Sequence, residues 1–119
     1  MPKAVRQRAE RGGRRAEGLA ALWLRLKGWT ILANRARTPV GEVDLIARRG
    51  RTLIFVEVKA RASRAQAEQA LDDWRIRRVA AAAQALAPRY AREGDTLRID
   101  AVLIVPRHWP RHLVDVWRG

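Results

Sequence analysis

The sequence predicts an α/β (α+β) protein built on one mixed β-sheet, with elements in the order α-β-β-β-α-β-β. Three observations carry that expectation. Apolar residues recur at helical spacing over residues 14–27, and an alanine-rich stretch covers about residues 64–87. Residues 42–47 and 52–59 read as a hairpin turning at Arg49-Gly50. Residues 96–105 (TLRIDAVLIV) read as a further clear strand beyond the second helix.

Each element has its own signal. Residues 1–13 (MPKAVRQRAERGG) are basic and nearly free of large apolar side chains, so they are expected to form a mobile tail before a single domain at 14–119. That tail is either a phosphate-binding arm or a solvated terminus. In the first helix Leu19, Leu22, Trp23 and Leu26 follow i, i+3, i+4, i+7, and Ala16, Ala20 and Leu24 widen that face. Glu17 falls at its border, where a carboxylate can look inward. Gly28 stands where a helix-ending glycine belongs. Residues 29–35 (WTILANR) are strand-like, and Pro39 and Gly41 mark the bend that follows. Ser63 is an N-cap for the second helix, and Pro88 lies near its end. Residues 112–117 (HLVDVW) alternate as an edge strand would.

Composition narrows the function. The chain of 119 residues carries 25 Lys+Arg against 12 Asp+Glu, a formal net charge of +13. An excess of this size, mostly arginine, points to a polyanionic partner, most often nucleic acid. There is no cysteine, which excludes disulfides and cysteine-ligated zinc. No apolar run reaches the roughly 18–20 residues of a membrane span. LAALWLRL is short, contains Arg25 and lacks a cleavage site, so it reads as a helix and the protein as cytoplasmic, with no membrane partner.

The hairpin holds the chemistry. With a turn at Arg49-Gly50, Ala47 would face Thr52 and Asp44 would face Phe55. One face, with Val43, Leu45, Ala47, Ile54, Val56 and Val58, is wholly apolar. The other, with Glu42, Asp44, Ile46, Leu53, Phe55, Glu57 and Lys59, is apolar near the turn and charged at the far end. A wet face would be polar throughout. Asp44 and Glu57 become diagonal neighbours, roughly 7–8 Å apart, which can converge on one divalent cation. Carboxylate oxygens suit Mg²⁺ or Mn²⁺. Lys59 lies on the same side as Glu57. The alternative is a cross-strand salt bridge in which Lys59 neutralises nearby acids.

Asp44 followed by Glu57-Val58-Lys59 resembles the D…(D/E)-x-K signature of the PD-(D/E)xK nuclease superfamily. GEVDLIA, a short spacer and FVEVKAR, with GRRAEGLAALWLRLKGW, NRAR and RIDAVLIV around them, resemble the YraN-like family, UPF0102. The resemblance runs from about Arg14 to Trp117. It implies a restriction-endonuclease-like mixed sheet flanked by helices, similar to archaeal Holliday-junction resolvases. It implies that Asp44 and Glu57 hold the metal with the Val58 carbonyl, that Lys59 is the catalytic lysine, and that Glu17 completes the site. Arg14, Arg15, Arg35, Arg61, Arg75 and Arg78 are the candidate nucleic-acid contacts. Arg75 is either turned toward the site or a phosphate, or packs its stem and sends its head to solvent.

Some residues are read structurally. Pro110 between His108 and His112 argues against a helical zinc pair. Arg98 and Asp100 share a strand face and are expected to pair. Asp72 and Asp73 read as solvated helix charges, and most of the five tryptophans as core or partly buried, with an interface role the alternative for Trp109 and Trp117. The basic tip ARRG is either a phosphate contact or a solvated turn. The leading expectation is a Mg²⁺- or Mn²⁺-dependent endonuclease hydrolysing DNA phosphodiesters, in branched or damaged structures. The alternative is a nucleic-acid-binding or protein-interaction module that keeps the nuclease fold. A homodimer through the sheet edge or the Trp109–Trp117 segment is a third reading.

Overall fold

The computed structural model describes residues 3–117, with side chains described from Gly13 onward. The elements are α1 (Lys3–Leu26), β1 (Thr30–Thr38), β2 (Gly41–Arg49), β3 (Thr52–Ala60), α2 (Arg64–Gln69), α3 (Asp73–Tyr90), β4 (Thr96–Ile104) and β5 (Arg111–Leu113). Five strands form one sheet in the order β1-β2-β3-β4-β5. β3 and β4 pair in parallel and every other neighbouring pair is antiparallel, so the sheet is mixed as expected. Helix α1 covers one face and α3 the other. No helix among the described residues is long and apolar enough to cross a membrane.

α1 reaches back through residues 3–13, the segment expected as a tail; Met1 and Pro2 lie outside the described residues. Its end is a Schellman motif. The Trp29 amide donates to the Leu24 carbonyl and the Gly28 amide to the Arg25 carbonyl, each at 3.0 Å. Gly28 has φ +93°, where only glycine is unstrained. Trp29 and Leu24 then pack in the same cluster.

The inner face of α1 differs from the expected stripe. Ala16, Ala20, Ala21 and Leu24 are buried, while Leu19, Leu22 and Leu26 are exposed. The helix turns its small side chains to the sheet and lets the larger ones face outward. Leu24→Ala should therefore cost about 2–5 kcal/mol in urea unfolding. Leu22→Ala and Leu26→Ala should each cost less than about 0.5 kcal/mol. Similar losses at all three positions would restore the expected stripe as the buried one.

The expected long second helix is two helices. Ser63 caps α2, accepting from the Gln66 amide, and Asp72 caps α3, accepting from the Arg75 amide at 2.8 Å. Asp72 is thus a helix-start signal rather than a solvated mid-helix charge. Ile76, Val79, Ala82, Ala83 and Leu86 form the buried face of α3. Trp29 is buried and Trp23 and Trp117 are partly buried, as expected for most of the tryptophans, while Trp74 and Trp109 are exposed.

The hairpin register is offset from the expected one by two residues. Leu45 faces Val56, Ala47 faces Ile54 and Arg49 faces Thr52. The turn is Gly50-Arg51, with Gly50 at φ +59° in the first central position, as a type II′ turn requires. A shift of two leaves every side chain on its own face, so the face assignments survive. Val43 and Asp44 are the exceptions. Val43 packs with Ile46 and Phe55 under α3, whereas Leu45, Ala47, Ile54, Val56 and Val58 pack under α1. Alternation along β2 therefore breaks between Val43 and Leu45, at Asp44.

Candidate active site

The break at Asp44 has a counterpart on β1. The β1–β2 ladder pairs Asn34 with Leu45 and Ala36 with Val43, and skips Arg35 and Asp44 between them. Arg35 has φ +49°, a left-handed backbone that costs a non-glycine residue roughly 1–2 kcal/mol. Local irregularities of this kind re-aim side chains. Here Val43 takes the α3 face and Asp44 lines a cleft beneath α1.

That cleft has a volume of about 450 Å³. Glu17 enters it from α1, Arg35 from β1, Asp44 from β2, and Glu57, Val58 and Lys59 from β3. Continuing the observed register would bring Asp44 level with Glu57 rather than diagonal to it, and both line the cleft. The pairing of β2 with β3 ends at Leu45 and Val56, and the Asp44 carboxylate takes over the next free donor: the Val58 amide donates to Asp44 Oδ2 at 2.8 Å. The N–H and C=O of one strand residue point to the same edge, so the Val58 carbonyl also faces this gap.

The charges in the cleft are tightly partnered. Lys59 Nζ lies 2.7 Å from Glu57 Oε1, both side chains being largely buried. Arg35 Nε donates to both oxygens of Glu17, at 2.8 and 3.1 Å. Burial pushes the Asp44 carboxyl up to about 7. The charges of Glu57 and Glu17 push the same way, against the Val58 amide and Lys59. Two facing carboxylates in a partly dry cleft resist double ionisation unless a cation is shared between them. The donors facing the gap are the second Asp44 oxygen, Glu57 and the Val58 carbonyl. All are hard oxygens, and they fit Mg²⁺ or Mn²⁺ in type. Glu17 lines the same cleft but is drawn to Arg35. Among the described residues no three His, Cys, Asp or Glu side chains gather as a ready-made metal cluster.

The candidate nucleic-acid contacts divide. Arg35 and Arg61 line the cleft, and Arg14 lines an adjoining one. Arg15 is exposed on α1. Arg75 pairs with Asp72, half exposed, and Arg78 sits over the Trp74 ring, so neither lines the cleft. For Arg75 this is the solvent-facing alternative. The hairpin-tip arginines are tied into the structure. Arg48 pairs with Asp95 at 2.7 Å and donates to the Tyr90 carbonyl, while Arg49 lies over the Trp29 ring. Burdened by no unmet charge, Asp95 is held down at about 2 by the Arg48 guanidinium and the Arg92 amide.

Sequence reasoning missed the clamp of Arg35 on Glu17 and the role of His112. Asp100, fully buried, accepts from Arg98 as expected, and also contacts His112 Nε2 at 2.7 Å and accepts from the Asp115 amide. The alternation of residues 112–117 was the available signal for His112, since it places that residue on a strand beside β4.

The mixed five-stranded sheet between helices is a resolvase-like fold. Hjc, a Holliday junction resolvase from the archaeal hyperthermophile Archaeoglobus fulgidus, shares this fold with a TM-score of 0.59 and 20% sequence identity, over 85% of this chain and 75% of that one. Residues 16–104 match the uncharacterised protein family UPF0102, and the chain belongs to that family. A UPF0102 protein of Sphingopyxis alaskensis is 60% identical over 114 residues, covering 96% of this chain and 98% of the relative. One from Erythrobacter litoralis is 54% identical over 113 residues, covering 95% and 97%.

Proposed function

We propose that this protein is a divalent-metal-dependent endonuclease of the PD-(D/E)xK type that hydrolyses DNA phosphodiesters, in branched or damaged DNA. The supporting observation is convergence. Glu17, Asp44, Glu57 and Lys59 come from three elements into one cleft that Arg35 and Arg61 also line. Asp44, Glu57 and the Val58 carbonyl would hold Mg²⁺ or Mn²⁺, and Glu17 would complete the set. The metal, when bound, supplies Lewis-acid polarisation of the scissile phosphate. Lys59 offers a partly buried ammonium that orients the attacking water and stabilises developing charge. Glu57, at 2.7 Å from it, fixes the lysine in place. The arginines position the phosphate backbone without reading sequence.

A non-catalytic binding module is favoured by one observation: Glu17 is paired with Arg35, so the acids do not gather as three. A cleavage panel decides between the two. Purified protein is incubated with single-stranded, duplex, flapped, forked and four-way-junction DNA, in Mg²⁺, Mn²⁺ or EDTA. Cleavage should need the metal and fall about 10²–10³-fold in Lys59→Ala. Tight DNA binding with no metal-dependent cleavage of any substrate would leave the binding module.

A further inference from the structure

A second cleft, of about 310 Å³, lies on the other side of the Glu17–Arg35 pair. Arg14, Glu17 and Arg25 of α1 and Asn34 and Arg35 of β1 line it. Arg14 and Arg25 are eleven residues apart and fall within about 20° on the helical wheel, some 16 Å along the axis. Among the described residues neither has an ion-pair partner. A row of that length suits several phosphates of a backbone rather than one small anion. Arg35 belongs to both clefts. It engages Glu17 through Nε alone, so its two terminal amino groups remain to form a second fork. Its φ of +49° marks a strained residue at the boundary between the clefts.

We propose that the second cleft is a phosphate-backbone subsite, and that a phosphate bound there draws Arg35 off Glu17 and frees that carboxylate to join Asp44 and Glu57. This rests on the metal-site reading of the first cleft. In the free protein Arg35 is a positioning residue that keeps Glu17 out of the donor set. With nucleic acid in the second cleft the terminal amino groups of Arg35 gain a bidentate phosphate partner, and the guanidinium is pulled toward it and away from Glu17. Glu17 then turns into the first cleft, which it already lines, and the site reaches full affinity for its cation only when a strand is present. By linkage the cation must tighten the strand by the same factor.

The test is calorimetric titration of Mn²⁺ into full-length protein, alone and with a short phosphorothioate oligodeoxynucleotide that resists cleavage. Asp44→Asn with the same oligonucleotide corrects for Mn²⁺ held by the nucleic acid itself. Arg35→Gln should raise Mn²⁺ affinity about tenfold in free protein. The oligonucleotide should do the same for the wild type and nothing for Arg35→Gln. Both effects should vanish when Glu17→Gln is added. A gain in Arg35→Gln that persists in the Glu17→Gln background would overturn the proposal, because it would reflect only the loss of a nearby positive charge. In EDTA, Arg14→Gln and Arg25→Gln should each weaken oligonucleotide binding and flatten its salt dependence by about 0.7 in log–log slope. Unchanged binding and slope in both would overturn the subsite. Mn²⁺ binding that needs Asp44 but ignores Arg35 sinks this coupling and leaves the metal site standing. A wild type that takes up no Mn²⁺ sinks both.

Discussion

Asp44→Asn is expected to abolish metal-dependent cleavage and, in the same molecule, to stabilise the fold above neutral pH. Cleavage should fall at least roughly a thousandfold, because the cation loses the carboxylate it would share with Glu57. DNA binding should persist, since arginines carry it. The stability change follows from the carboxyl's displacement from 3.8 to about 7. Across that interval the folded protein keeps the Asp44 proton and the unfolded chain releases it. The stability contributed is complete below pH 3.8 and is lost as pH rises through 7. At pH 8 the native protein therefore carries a penalty on the order of a few kcal/mol. Asparagine cannot ionise, and its amide oxygen can still accept from the Val58 amide. Without divalent cations, thermal unfolding of Asp44→Asn should match the wild type near pH 4 and exceed it by a growing margin toward pH 8. Mg²⁺ should raise the wild type at pH 8 and leave the variant unmoved. Equal pH profiles for the two proteins would remove the facing-carboxylate picture, and retained metal-dependent cleavage would remove Asp44 from the site.

The side taken by Glu57 and Lys59 was legible because alternation holds along β3. Turn position could err by two residues without moving any hairpin side chain to the other face, since RRGR lets glycine sit in either central turn position. What alternation could not supply was its own interruption. Nothing local in NRAR says that Arg35 adopts φ +49° or that β2 breaks step at Asp44. Both lie where strands distant in sequence meet, at Arg35 beside Glu17 and at Asp44 beside the Val58 amide, beyond what a local pattern encodes.

Helix α1 is a different case. Its wheel carries two adjoining apolar arcs, one of leucines and one of alanines with Leu24. A wheel tells which residues are apolar, but not which arc meets the sheet. Small residues let the helix lie close and seat Glu17 at the cleft edge. The break before α3 was more accessible: LDDW contains an aspartate N-cap, masked by the strong helix propensity of the alanines after it. The Glu17–Arg35 pair spans 18 residues and two element types, beyond the reach of any spacing rule.

Asp100→Ala should destabilise the fold strongly. The carboxylate is fully buried and gathers Arg98, His112 and the Asp115 amide. These groups lie on β4, β5 and the segment after it, so one side chain fastens the C-terminal edge to the sheet. Burial pushes its carboxyl up, but His112, Arg98 and the Asp115 amide outweigh it and hold it below the ordinary value. Removing it takes the carboxylate from a partly buried guanidinium, from His112 and from the Asp115 amide, at a cost of about 3–5 kcal/mol. In thermal unfolding that is a fall of roughly 10–20 °C. A depressed carboxyl contributes stability that is present above its unfolded pKa of about 3.9 and lost as pH falls through the folded value. The deficit of Asp100→Ala should thus be full at pH 7 and shrink below about pH 4. Asp100→Asn keeps an acceptor for the Asp115 amide and should lose less. If instead Asp100→Asn unfolds like the wild type but no longer cleaves DNA, Asp100 belongs to the chemistry and not to the frame that holds β5.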